Sequence, residues 1–95
     1  MNETNLTRKL IRKLNEHPDT WVYKTMGSMT RAGVPDLLIC HQGLFVGAEV
    51  KVPGNYATKL QLHEIDRIND CGGMAAVVRS FDDIKDLMDE VRTIA

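Results

Sequence analysis

Three polar residues stand out by type and spacing: Asp36 directly after Pro35, and Glu49 two positions before Lys51. A Gln42-Gly43 turn between the apolar runs that hold them pairs His41 with Leu44, and counting back sets Asp36 opposite Glu49. Directly opposed residues share a sheet face with Cβ atoms about 4.5–5.5 Å apart, and Lys51, two past Glu49, points the same way. A four-residue loop keeps this register, whereas a three-residue loop sets Ala48 against Asp36. Two carboxylates held side by side repel unless one is protonated or a cation lies between them. A divalent ion meets that need, since carboxylate oxygens, the backbone carbonyl of Val50 and water are the hard ligands that Mg²⁺ selects. Such an ion acidifies bound water and bridges to a phosphate oxygen, while Lys51 positions or activates the attacking water or offsets the developing negative charge. The constellation fits phosphodiester hydrolysis. An ordinary alternative stands beside it: Asp36 opens a strand after Pro35, and Glu49 and Lys51 form an exposed pair worth roughly a few tenths of a kcal/mol.

These residues need a scaffold, and the hydrophobic pattern supplies one. Leu6, Leu10, Ile11 and Leu14 follow helical spacing from about Thr4 to Glu16, and His17-Pro18-Asp19 ends that helix. Trp21-Val22-Tyr23 suits a short strand, and Gly27 to Gly33, with Ser28, Thr30 and Arg31, reads as a surface loop. Asp36 to Cys40 and Leu44 to Val52 form the hairpin, which Pro53-Gly54-Asn55 stops. Thr58 and Gln61 have capping-box spacing, so a second helix starts there, with Leu62, Ile65 and Ile68, and Leu60 nearby, as its buried stripe. That spacing gives Gln61 a capping role in its own right. Gly72-Gly73 ends the helix, and Met74 to Arg79 reads as a buried strand. Ser80 or Asp82 then caps a last helix with the stripe Phe81, Ile84, Leu87, Met88 and Val91. The order αβββαβα is an α/β chain with a mixed sheet: an antiparallel hairpin, and parallel strands either side of the second helix. His41 and His63 read as surface residues and His17 as a helix end.

Composition excludes several classes. The chain has 95 residues, 43% hydrophobic and 26% charged, with a net charge of −1, which describes one small globular domain over residues 1–95. No apolar run approaches the roughly 20 residues that cross a bilayer, and no basic start followed by an apolar stretch marks a secretory signal. Cys40 and Cys71 lack metal-ligand spacing, which favours reduced thiols in a cytosolic setting over a disulfide. Starting at Met1 favours a complete protein. The neutral total hides a gradient. Residues 1–60 carry eight Lys/Arg against five acids, and from Asp82 onward five acids face two bases. A local positive field can therefore meet a polyanion, although solvated helix faces of mixed charge explain the same counts.

Four segments, in this order over nearly the whole chain, carry a family likeness: Gly33-Val34-Pro35-Asp36-Leu37-Leu38, Ala48-Glu49-Val50-Lys51, Thr58-Lys59-Leu60-Gln61, and Gly72-Gly73 before an apolar strand. Together they resemble the PD-(D/E)XK nucleases, specifically the minimal VRR-Nuc domain of stand-alone phage and bacterial type. The resemblance implies a restriction-endonuclease-like core, with a divalent metal held by Asp36, Glu49 and the Val50 carbonyl. It makes Lys51 the catalytic lysine and Gln61 the motif glutamine. It further implies a homodimeric, structure-selective DNA endonuclease that cuts four-way (Holliday) junctions, uses Mg²⁺ or Mn²⁺, leaves 5′-phosphates and works in the cytoplasm of a bacterial or phage-infected cell. The family usually has a glutamate on the first helix. Here that position falls on Thr7, with Glu3 one turn earlier on the same face as the substitute ligand, and Glu16 at the far end. Arg31, Lys59, Arg8 and Arg12 are the candidate DNA contacts. The alternatives are a non-catalytic module of the same fold that binds branched DNA or a protein, and a nuclease acting on RNA or plain duplex DNA.

Overall fold

The computed structural model describes residues 2–26 and 31–94, with side chains through residue 89. Its elements run α1 (Glu3–Asn15), β1 (Thr20–Lys24), β2 (Leu37–His41), β3 (Leu44–Val50), α2 (Lys59–Asp70), β4 (Met74–Val78) and α3 (Phe81–Ile94). This is the expected αβββαβα order. The Asn2 side chain accepts from the Asn5 amide at 2.8 Å to start α1, and Arg12 and Lys13 sit in its last turn, where positive charge favours the helix dipole. Ser80 is the residue that caps α3, accepting from the Asp83 amide at 3.3 Å. Ser28 and Thr30 of the expected loop lie outside the described residues, as does the side chain of Val91.

The four strands form one sheet in the order β1-β2-β3-β4, antiparallel between the first three and parallel between β3 and β4. Parallel pairing follows because α2 carries the chain back across the sheet between those strands. The hairpin register is the one that two-residue counting gives: His41 pairs with Leu44 and Leu37 with Ala48. Gln42 and Gly43 both take positive φ, 52° and 82°, the mirror-image turn whose twist matches the strands it joins. Alternation then sorts the sheet into two faces. Leu37, Ile39, Val46, Ala48, Val50 and Val78 face α1 and α3 and form the core with Leu6, Leu10, Leu14, Ile84, Leu87 and Met88. The opposite face is covered by α2 only over β3 and β4.

Two expectations need correction. Leu60 and Leu62 are not buried; they are 49% and 47% exposed, while Glu64 and Ile65 are buried and Gln61 and Ile68 half-buried. At about 100° per residue the inward line of α2 runs through Gln61, Glu64, Ile65 and Ile68, and Leu60 and Leu62 project to either side of it. His41 is not a surface residue. It lies on the core face, buried, with its Nδ1 2.8 Å from Thr20 Oγ1 of the neighbouring strand.

The connection into the hairpin is fixed by a close approach. Gly33 has φ +85°, and a Cβ there would lie 2.8 Å from both the Cγ and the backbone oxygen of Leu60. Gly43 has a similar φ but open space around it. Gly33→Ala is therefore expected to cost roughly 2–4 kcal/mol, combining left-handed strain with overpacking, against roughly 1–2 kcal/mol for Gly43→Ala. Urea unfolding of the two variants measures the difference, and equal losses would mean that the contact with Leu60 relaxes freely.

Candidate active site

At the open end of the hairpin, the β2–β3 ladder stops at Leu37↔Ala48, and Asp36 sits one residue beyond it, facing Glu49 in the same register. Its backbone is pinned from β1's continuation: the Thr25 amide donates to Asp36 O at 2.9 Å, and the buried Thr25 hydroxyl donates to Pro35 O at 3.0 Å. The Asp36 side chain finishes the ladder in place of a backbone carbonyl, its Oδ2 accepting from the Val50 amide at 2.9 Å. One carboxylate oxygen of Asp36 is thus fixed by the strand that carries Glu49.

Glu49 is 2% exposed, which removes the alternative of a solvated strand pair. Its Oε1 is buried with no hydrogen-bond partner among the described residues. Burial, then the charge of Asp36 and a shared proton with it, push its carboxyl from the ordinary 4.5 up to about 8; Lys51 opposes the shift and Glu3 adds to it. Lys51 follows on the same face, its Nζ 3.7 Å from Glu49 Oε2. That separation is longer than a hydrogen bond, so the ammonium keeps its donors for another acceptor. The strand bearing both residues continues to pair, the Lys51 amide donating to Val78 O at 3.0 Å.

Glu3 is the α1 acid at this end of the molecule. Its Oε2 accepts from Asn55 Nδ2 at 2.8 Å, and its charge reaches Glu49. Thr7 turns away from such a role: it is buried, and its hydroxyl donates to Glu3 O at 2.7 Å within the helix. Among the described residues no group of three or more His, Cys, Asp and Glu side chains is gathered tightly enough to cage an ion.

The fold has known counterparts. The chain is similar over 92% of its length to 94% of a solved structure described as "VRR_NUC domain", with 26% identity and a TM-score of 0.72. It folds as a VRR-Nuc domain. A second solved structure, "VRR_NUC domain protein", matches all of this chain and 91% of its own, with a TM-score of 0.77 and 17% identity. The sequence matches no protein-family model and no curated protein.

The fold places the remaining sequence candidates unequally. Gln61 lies on the inward line of α2, the helix whose Ile68 approaches Gly47 on Glu49's face of the sheet. Its Oε1 accepts from the Thr58 amide at 2.8 Å and its amide donates to Thr58 Oγ1 at 3.2 Å, so the capping box is formed. Capping occupies the side-chain oxygen and leaves the side-chain NH₂ without an acceptor among the described residues. Arg8, Arg12 and Lys59 are exposed. Arg31 is also exposed, but its Nε lies 2.5 Å from the buried Glu64 carboxylate, which compensates a charge taken out of water. Cys40 and Cys71 are free, exposed thiols, and no helix among the described residues is long and apolar enough to cross a membrane.

Two supporting residues escape a sequence reading. Asn55 reads as a strand stop, yet it ties Glu3 to the loop after Lys51 across 52 positions. Arg79 reads as the end of a strand, yet its Nη1 donates to Val52 O at 2.9 Å and Asn55 O at 2.8 Å. No local signal marks either, because both act across the fold.

The raised Glu49 carboxyl sets a pH dependence for the metal-free protein. A pKa higher in the folded chain means that its contribution to stability is complete below about pH 4.5 and is lost as pH rises to about 8. In the presence of chelator, the stability of wild type relative to Glu49→Gln is expected to fall by roughly a few kcal/mol across that window. Urea unfolding at steps of pH measures it, and a constant difference would show that Glu49 titrates normally.

Proposed function

We propose that this VRR-Nuc domain is a divalent-metal-dependent, structure-selective DNA endonuclease that hydrolyses phosphodiester bonds at four-way or other branched junctions. The observation that carries it is the carboxylate pair, in which the buried, unpartnered Glu49 Oε1 stands beside Asp36. Two anions so placed are unstable without a cation, so the donor set fits a divalent ion. Asp36, Glu49 and the Val50 carbonyl would hold Mg²⁺ or Mn²⁺, with Glu3 at the margin and waters completing the shell. When bound, the ion supplies Lewis-acid charge at a phosphate oxygen and a more acidic water.

The chain's own residues do the rest. Asp36 and Glu49 orient the site through the rigid hairpin. Lys51, with its side chain 13% exposed and not locked to Glu49, holds positive charge where the phosphate gains negative charge, or positions the attacking water. Gln61 orients through its free NH₂ group. Arg8, Arg12, Lys59 and the exposed side of Arg31 meet backbone phosphates without reading sequence. The products carry 5′-phosphates, and the setting is the cytoplasm of a bacterial or phage-infected cell.

The test uses labelled four-way junction, duplex, single-stranded DNA and RNA with Mg²⁺, Mn²⁺ or chelator. Wild type is expected to cut the junction only with metal, and Asp36→Asn and Lys51→Ala to lose at least about a hundredfold in rate, as for groups acting in the transition state. Cleavage that survives either substitution would remove the site; binding without cleavage by wild type would mark a non-catalytic module.

A homodimer completes the proposal. The sheet face opposite the core carries Trp21, Cys40 and Phe45 in one cross-strand row and Tyr23, Leu38 and Gly47 in the next, and α2 covers it only toward β3 and β4, where Gly47 is buried. Trp21, Tyr23 and Phe45 are 58%, 49% and 43% exposed, and the first two rings stack with centroids 6.1 Å apart. A cavity of about 450 Å³ adjoins this surface, its apolar wall formed by Pro35, Leu38, Phe45 and Ile68 and its polar rim by Arg31, Glu64 and Arg67. Exposed aromatic area of roughly a few hundred Å² approaches half of the roughly 800 Å² each partner of a stable complex contributes. A second copy of this chain fits because a two-fold dimer offers one site to each of two strands. Light scattering is expected to give a dimer for wild type and a monomer for Trp21→Glu; a monomeric wild type at working concentration would contradict it.

A further inference from the structure

The loop between Lys51 and Thr58 joins the strand of the carboxylate site to the helix bearing Gln61, and it is strapped from three directions. The Asn55 amide closes its turn on Val52 O at 3.1 Å. Arg79 Nη1 bridges the Val52 and Asn55 carbonyls from the end of β4. Asn55 Nδ2 reaches Glu3 on α1, whose charge is felt at Glu49. The loop is therefore held against the carboxylate site.

Tyr56, the next residue, is 79% exposed, more than any other large hydrophobic side chain among those described. Its ring is placed all the same, because the Arg79 guanidinium carbon lies 5.5 Å from its centroid. The same arginine thus fixes the loop backbone and backs one face of the ring, leaving the ring's remaining surface to solvent. A planar aromatic group held in place beside a phosphodiester-cleaving site suits one ligand class, a nucleobase. Stacking on an aromatic ring is tolerant of base identity, but it requires a base whose own face is free. Continuous duplex hides those faces; a branch point or unpaired nucleotide presents one.

We propose that Tyr56, backed by Arg79, is the platform on which a nucleobase next to the scissile phosphate stacks, and that this contact favours branched DNA over continuous duplex. The inference rests on the nuclease reading above and adds to it the residue that selects the DNA structure.

The experiment places 2-aminopurine at the branch nucleotide of a junction and follows its fluorescence with the full-length protein in chelator, where binding occurs without cleavage. Wild type, Tyr56→Phe and Tyr56→Trp are expected to quench the probe, and Tyr56→Ala and Tyr56→Leu are not. By anisotropy, Tyr56→Ala should weaken binding to the junction about tenfold and leave duplex affinity unchanged. Thermal melts are expected to coincide, since the side chain is exposed. Quenching retained in Tyr56→Ala or restored by Tyr56→Leu, or equal losses on junction and duplex, would overturn the proposal. If wild type cuts the junction with Mg²⁺ and Tyr56→Ala keeps its junction preference, this inference fails and the nuclease reading stands. If wild type quenches the probe but never cuts, the nuclease reading fails and the stacking contact stands.

Discussion

The structure turns on the enforced proximity of two carboxyl groups. The Gln42-Gly43 turn fixes the register of β2 and β3, and that register sets Asp36 opposite Glu49 at the end of the ladder. Neither residue escapes: Asp36 is held by the Val50 amide and by Thr25, and Glu49 is sealed between the sheet and its coverings. In the metal-free chain a proton on Glu49 relieves both the burial of its charge and the repulsion from Asp36, which together push its carboxyl up to about 8. A cation relieves it equally well. Stability and binding competence are therefore opposed at this one place, as expected where a fold holds strained electrostatics for use.

The remaining elements serve that pair. α1 and α3 cover one sheet face with aliphatic side chains and make the hairpin rigid, while α1 also brings Glu3 to the margin of the site. α2 covers the other face over β3 and β4, and its inward line is half polar because it carries Gln61 and the buried Glu64 that Arg31 compensates. The loop between β3 and α2 would be the loosest part of the site by its Pro53-Gly54 sequence. Arg79 ties it down through the Val52 and Asn55 carbonyls, and the Asn55 side chain ties it to Glu3.

Much of this is legible in the amino-acid order, for identifiable reasons. Strand alternation and a two-residue turn are short-range rules, so the meeting of Asp36 with Glu49 and Lys51 follows from local spacing. Helix starts are also local: the Thr58–Gln61 capping box and the Ser80 cap form as their residue types dictate. The failures share a cause too. Leu60 and Leu62 are apolar yet exposed, and Glu64 is charged yet buried, because burial is decided by which side of α2 meets the sheet. His41 is polar yet buried because Thr20, on the other strand, supplies its partner. The Glu3–Asn55 and Arg79–Asn55 contacts join distant positions, and no pattern in a single sequence announces them.

On the proposed function, a divalent ion takes the place of a proton between Asp36 and Glu49. Calorimetric titration of Mn²⁺ into chelator-stripped, DNA-free protein at pH 7, repeated in buffers of different ionisation enthalpy, measures this directly. Glu49 is largely protonated at that pH, so binding is expected to release close to one proton per ion, about the full share of one group, and to disappear in Asp36→Asn. An absence of binding, or heats that do not depend on the buffer, would contradict the claim.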